Sequence, residues 1–241
     1  MSRALFRLDH LVTVVPNLLA STAMFESQTG ILFPSGGEHT GMGTWNRVSG
    51  VDHSRRELDR RLYLELIARN PKEPLTQHPW LGLDRAPTLR ELSLITWAVR
   101  TTDIEKAAAS ARKAGVVMGS VLPMSRAMPD KTLNWKLTLR DDRSMLEGGL
   151  LPFFIDWLGN EAHPAASLAE SGSRLLSLRI LHAEPERIRK NLISMGLESL
   201  LDAGDVQVQY GDSPDLVARI QAPKGTFDLS RSGLKKLTQS Q

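Results

Sequence analysis

Three stretches of the chain repeat one pattern of apolar and polar positions. Each opens with an apolar run of strand length: Leu8–Val15, Leu92–Val99 and Leu175–Leu181. A polar or proline cap follows, at Asn17, at Thr102-Asp103 and at Glu184-Pro185. Next comes a segment with helical periodicity that stops at Gly30, Gly115 or Gly196. Ile104, Ala107, Ala108 and Ala111 share one helical face, as do Ile188, Leu192 and Met195. Asn and Asp side chains accept from free N–H groups at a helix start, and proline suits the first turn, where no N–H is needed. Thr102 with Glu105 has the spacing of a capping box. Glycine ends a helix because it takes positive φ without strain.

Short apolar strands are predicted after each helix. They fall at 44–48 and 62–68 in the first unit, 133–139 and 151–157 in the second, and 206–210 and 216–220 in the third. One such unit cannot cover both faces of its own sheet, whereas two can close into a curved sheet. The predicted fold is α+β: repeated βαβββ modules forming a curved mixed sheet or half-barrel with helices outside. Residues 6–165 carry two modules, 172–228 a third, shorter βαββ module packed on them, and 229–241 a flexible polar tail.

Strand alternation places chemistry on this frame. Leu8, His10, Val12 and Val14 are expected on one face of the first strand, and Tyr63, Glu65 and Ile67 on one face of another. An imidazole and a carboxylate thus stand among apolar neighbours. A carboxylate buried there needs a partner, because unpaired burial costs several kcal/mol or more.

Composition narrows the function classes. The absence of cysteine excludes disulfides, thiolate metal sites and cysteine nucleophiles. It agrees with a reducing compartment, and a cytoplasmic protein is expected. The net charge of +3 is mild, and the run Arg55–Arg61 is interrupted by Glu57 and Asp59, so it reads as a solvated loop. With few aromatics, neither a nucleic-acid platform nor a membrane role is indicated. No apolar stretch reaches the roughly 20 residues needed to span a bilayer. Gly36–Gly43 is read as a loop; it has neither a phosphate-loop nor a dinucleotide pattern.

The repeated module resembles that of the vicinal-oxygen-chelate superfamily (glyoxalases, bleomycin-resistance proteins, dihydroxybiphenyl dioxygenases), and its local motifs are similar to the glyoxalase-like domain family. The resemblance rests on Leu8-Asp9-His10-Leu11-Val12, on Gly36 through Asn46, on Tyr63-Leu64-Glu65-Leu66-Ile67, on Pro152-Phe153-Phe154-Ile155-Asp156-Trp157 and on His163-Pro164. It covers residues 6–165. It implies a ligand cup on the inner face of the sheet, with His10 and Glu65 as an inward-facing pair. In metal-dependent members these two positions supply two ligands. The matching positions here, Thr96, about Ser177 and near Phe154, are poor transition-metal ligands. His39 would complete a set of two imidazoles and one carboxylate suited to a single divalent Zn, Fe or Mn. No cofactor is otherwise implied.

Two functions remain open. One is lyase or isomerase chemistry on a small carbonyl or hydroxy compound, with Glu65 as base and His10 tuning it or sharing a proton. The other is binding or sequestration of a small molecule without turnover. Candidate binding residues are Gly37, His39, Thr44, Asn46, Trp97, Trp135 and Phe154. Bland readings stand beside these: His10 as a core histidine on a backbone carbonyl, Glu65 paired with an arginine, Thr44 and Asn46 finishing strand ends. His53 reads as solvated, and the pairs His78-Pro79 and His163-Pro164 as turn residues. A homodimer is plausible, since open sheets of this kind can pair across chains.

Overall fold

The computed structural model describes residues 6–39, 42–53, 62–73, 81, 83, 92–127, 132–159, 163–166, 168 and 171–238. The first module comprises β1 (Arg7–Val14), α1 (Leu18–Thr29), β2 (Ser35–His39), β3 (Thr44–His53) and β4 (Leu62–Arg69). The second comprises β5 (Ser93–Arg100), α2 (Ile104–Lys113), β6 (Ser120–Ala127), β7 (Thr132–Leu139) and β8 (Phe153–Asp156). The third unit holds β9 (Arg174–His182), α3 (Pro185–Ser194), α4 (Glu198–Asp202), β10 (Val206–Tyr210), β11 (Asp215–Ala222), β12 (Gly225–Ser230) and β13 (Gly233–Lys236).

The first two modules are wired alike. In each, the opening strand lies parallel to the last, and the last, third and second strands follow in antiparallel pairs. β1 and β5 then join the modules antiparallel. The third unit departs from this plan. Its crossover strand β10 returns parallel to β9, while β11, β12 and β13 continue antiparallel on the other side. A short parallel pairing of Asp52 and His53 with Arg174 and Leu175 ties it to β3. The result is one curved, unclosed sheet of 13 strands.

Two helix caps act as read, with Asp103 rather than the Thr102 of a capping box at the start of α2. Asn17 Oδ1 accepts from Ala20 N–H at 3.0 Å and Asp103 Oδ1 from Lys106 N–H at 3.1 Å. Gly30 closes α1 at φ 77°, with its N–H on Glu26 O. Three features differ from expectation. Ser35–His39 is a strand rather than part of a loop, and it needs Gly36, because a Cβ there would lie 2.1 Å from Asn46 O. His53 ends β3 instead of lying in a loop. The third unit has five strands, and β13 keeps the chain in the sheet to Lys236, past the point where a flexible tail was expected. The Arg55–Arg61 run, the His78-Pro79 pair, Thr40 and Gly41 lie outside the described residues.

The sheet separates two cores. Along β4, Leu62, Leu64, Leu66 and Ala68 join the large core on the convex face, with α1, α2 and the third unit. Tyr63 and Ile67 point to the concave face, where Val12, Val48, Leu133, Trp135, Leu137, Ile155 and Trp157 form the second core. This alternation puts Glu65 on the concave face. Two irregularities interrupt it between β1 and β5. The pairing passes from Leu8↔Val99 to His10↔Ala98 and from Val12↔Thr96 to Thr13↔Leu94, leaving Asp9 and Ile95 as extra residues. Leu8 therefore packs in the convex core, not beside His10 and Val12 as strict alternation predicts.

The same register overturns two expected ligand contacts. Trp97 is fully buried in the convex core and donates its Nε1–H to Leu150 O at 2.9 Å. Phe154 is also fully buried there, its ring 5.2 Å from that of Phe6. Neither side chain reaches the concave face, because each stands one position out of phase with the residues that do.

Candidate functional site

The concave face forms a cup lined by His10, His39, Asn46, Tyr63, Glu65 and, from the second module, Leu133, Trp135, Leu137, Phe153, Ile155 and Trp157. It leaves about 40 Å³ for the centre of a water-sized sphere, room for a few waters or a small metabolite fragment. The first module supplies the polar wall and the second the apolar one. Thr96 and Ser177 do not line this cup.

Glu65 is the centre of the polar wall. Its Oε1 accepts from Asn46 Nδ2 at 2.6 Å. Its Oε2 faces His10 Nε2 at 3.8 Å, and Oε1 lies 3.9 Å from His39 Nε2. Both separations exceed hydrogen-bond length. Each neighbour is oriented by a further bond. Gly37 N–H donates to Asn46 Oδ1 at 3.0 Å, which turns the amide nitrogen toward Glu65. That nitrogen also lies 3.2 Å from His39 Nε2, so Nε2 accepts and the His39 Nδ1–H donates to Thr44 Oγ1 at 2.8 Å. Gly37 and Thr44 thus hold the lining side chains instead of lining the cup themselves.

His10 is held from behind. Its ring stacks on Tyr63 with centroids 4.5 Å apart. Its Nδ1–H donates to Asp9 Oδ1 at 2.6 Å. The bulge at Asp9 permits this bond between sequence neighbours. Asp9 Oδ2 accepts from His163 Nε2 at 2.8 Å and from Trp157 Nε1 at 3.2 Å. His163 Nδ1 accepts from Ala165 N–H at 3.2 Å, which assigns the hydrogen to Nε2. Burial on its own pushes the Asp9 carboxyl up. Electrostatic attraction to the His163 ring, whose Nε2–H points at Oδ2, and hydrogen bonds from His10 and His163 outweigh it and hold Asp9 far below the usual carboxylate range. His10 therefore rests on a buried carboxylate, not on a backbone carbonyl, and His163 is a structural partner of the site, not a turn residue alone. Asp9, Trp157 and His163 went unread as site residues in the sequence. The signal was faint: an acidic residue inside an apolar strand.

The superfamily's metal position can be tested on the donor set. His10, His39 and Glu65 do converge, as the two-imidazole, one-carboxylate set requires. The amide N–H of Asn46, however, points at the same Glu65 oxygen and His39 nitrogen that a cation would need. Gly37 prevents the amide from turning its oxygen inward. Among the described residues, the facing wall from the second module offers only apolar side chains. Among the described residues, no group of three or more His, Cys, Asp or Glu is arranged to hold a metal ion. The arrangement does not fit a resident metal.

Two βαβββ modules joined edge to edge, with a cup on the concave face, are the architecture of the vicinal-oxygen-chelate superfamily. A glyoxalase-like domain model matches residues 8–196, and the chain belongs to that family. The match runs through α3 to Gly196, beyond the two modules. A hypothetical protein from Staphylococcus aureus shares the fold at 16% identity and TM-score 0.58, over 90% of this chain and 81% of its own. Methylmalonyl-CoA epimerase in complex with methylmalonyl-CoA and NH4+ aligns at 16% identity and TM-score 0.45, over 63% of this chain and 94% of its own. Methylmalonyl-CoA epimerase from Mycobacterium tuberculosis aligns at 15% identity and TM-score 0.40, over 62% and 86%. No curated protein matches the sequence. No helix among the described residues is long and apolar enough to cross a membrane.

Proposed function

We propose that the cup binds a small carbonyl or hydroxy compound and that Glu65 acts on it as a general base, in isomerase- or lyase-type chemistry. The observation that carries this reading is the convergence of one carboxylate with two imidazoles whose other ring nitrogens are both occupied. Asn46 holds Oε1 of Glu65 and leaves Oε2 toward His10. Asp9 takes the Nδ1–H of His10 and so presents its Nε2 to the same oxygen. Glu65 removes a proton from carbon beside the carbonyl, and the electron pair of that C–H bond moves into the enolate. His10 Nε2 shares the proton until it returns to carbon, so an isomerisation leaves no net proton change. The apolar wall from Leu133 to Trp157 keeps water from competing for the enolate.

The test is hydrogen exchange into small carbonyl acids in deuterated water, followed by NMR across a substrate panel. Glu65→Gln is expected to lower exchange by roughly two orders of magnitude or more while the fold persists. Exchange that survives the substitution sinks the reading.

The apolar second half of the cup favours a second reading, sequestration without turnover. In that case bound ligand is recovered unchanged from wild-type protein. Detected product excludes it.

A further inference from the structure

Beside the cup lies a second recess that shares Leu81, Leu137 and Phe153 with it. Its walls are mostly apolar, with Met118, Met145, Leu146 and Pro152 among them, and it carries two arginines, Arg140 and Arg143. The two differ in their partners. Arg140 pairs with Asp142, Nε to Oδ1 at 3.3 Å, and also reaches Ser144 Oγ at 2.8 Å. The half-buried Arg143 meets no carboxylate among the described residues. Its Nη1 lies 3.9 Å from the sulfur of Met42, which belongs to the first module and packs on the concave core. A guanidinium from the second module is thus held against the first, across the side of the cup.

The backbone is built for this placement. Arg143 N–H closes a turn on Arg140 O at 2.9 Å, and Asp142 Oδ1 clasps the far side through Ser144 N–H at 3.0 Å. Arg143 itself sits at φ 58°, the left-handed region that strains any residue with a Cβ. Leu81, shared by both recesses, is another such residue at φ 56°. The following turn, Leu146–Gly149, is fastened in place. Gly149 packs so tightly that a Cβ would meet Ile95 O at 1.9 Å. The third unit grips the same turn through Arg187 Nη1 on Glu147 Oε1 at 2.5 Å and Arg231 Nη2 on Gly148 O at 2.6 Å. Glycine at 143 would relieve the strain, yet arginine stands there, with no carboxylate on it among the described residues.

We infer that Arg143 receives an anionic group of the ligand, a carboxylate or phosphate, while the rest of the molecule lies along Leu81, Leu137 and Phe153 toward Glu65. This narrows the substrate class to small anionic carbonyl compounds. A guanidinium half withdrawn from water, with no carboxylate on it among the described residues, binds such a group through charge-assisted, bidentate hydrogen bonds. The inference rests on the base reading only for the position of the reacting carbon, since anion binding is measured without turnover.

The test is calorimetric titration of the full chain with malonate, inorganic phosphate and the uncharged dimethyl malonate. Malonate or phosphate is expected to bind wild-type protein in about the millimolar range or tighter. Arg143→Gln and Arg143→Gly each weaken that binding roughly 10- to 100-fold and leave dimethyl malonate unaffected. Arg143→Gly relieves the left-handed strain, so its thermal midpoint does not fall and lost binding is not unfolding. Glu65→Gln keeps the anion affinity. Equal binding by both Arg143 variants and wild type overturns the inference, as does the absence of binding by either anion up to about 100 mM. Lost anion binding in Arg143→Gly together with persisting exchange in Glu65→Gln retains the anion site and rejects the base.

Discussion

His163 donates its Nε2–H to Asp9 Oδ2 at 2.8 Å across 154 positions of sequence, and both side chains are wholly buried. Asp9 also holds His10, so one carboxylate joins the segment after β8 to the ring that faces Glu65. A full charge at this depth is tolerable only because three N–H groups, from His10, His163 and Trp157, point at it.

Asp9→Asn removes the charge and turns one of the two acceptor oxygens into an N–H donor that faces another N–H. Breaking such a buried pair is expected to lower stability by roughly 3–5 kcal/mol near neutral pH. The carboxyl is held below its unfolded value, so its stabilisation is complete above roughly pH 4 and fades as the pH falls further. Urea unfolding at pH 7 and pH 3 checks this: the deficit of Asp9→Asn relative to wild type shrinks at pH 3. A deficit unchanged between the two pH values would remove Asp9 as the ionised anchor.

Asn46→Leu deprives Glu65 Oε1 of its donor and Gly37 N–H of its acceptor. His39 Nε2 loses its donor as well, so two buried acceptors and one part-buried N–H lose partners, and the melting transition should report a loss of roughly 1–3 kcal/mol for each buried group. Deuterium exchange should also fall, because Glu65 is no longer held with Oε2 toward His10. Unchanged exchange would relegate Asn46 to strand pairing.

Trp97→Ala and Trp135→Ala should behave differently. Trp97 lies in the convex core, and its loss is expected to cost roughly 3–5 kcal/mol in denaturant unfolding with ligand affinity retained by the folded fraction. Trp135 lines the cup, its ring centroid 5.7 Å from that of Trp157, and its removal should weaken binding of the same ligand. A reversal of this pattern would contradict the assigned faces of β5 and β7.

Asn46→Asp replaces the inward N–H donor with oxygen ligands between His39 and Glu65. Equilibrium dialysis against Zn2+ is expected to show uptake by this variant well above that of wild-type protein. Tight, stoichiometric Zn2+ binding by wild type would show that the Asn46 amide yields to a cation, contrary to the hydrogen bonds that orient it.

Much of this molecule is legible along the chain, because it follows from local physics. Helix caps at Asn17 and Asp103, glycine stops and the twofold repeat of strand and helix depend on near neighbours and on periodicity. The face of β4 that carries Tyr63, Glu65 and Ile67 is legible too, since its alternation is unbroken. Tertiary structure decided the rest. The extra residues at Asp9 and Ile95 shift register by one position, and a period-two pattern has no means of marking where a pairing slips. That slip sends Leu8 and Trp97 to the convex core and lets Asp9 meet His10. The neighbours of Asp9, and the meeting of His39, Asn46 and Glu65, are set by strand pairing between distant segments. The sequence by itself determined a carboxylate and an imidazole set among apolar residues on a curved sheet; only the folded pairing supplied the partners that orient them, because hydrogen-bond geometry is decided by which strands lie side by side.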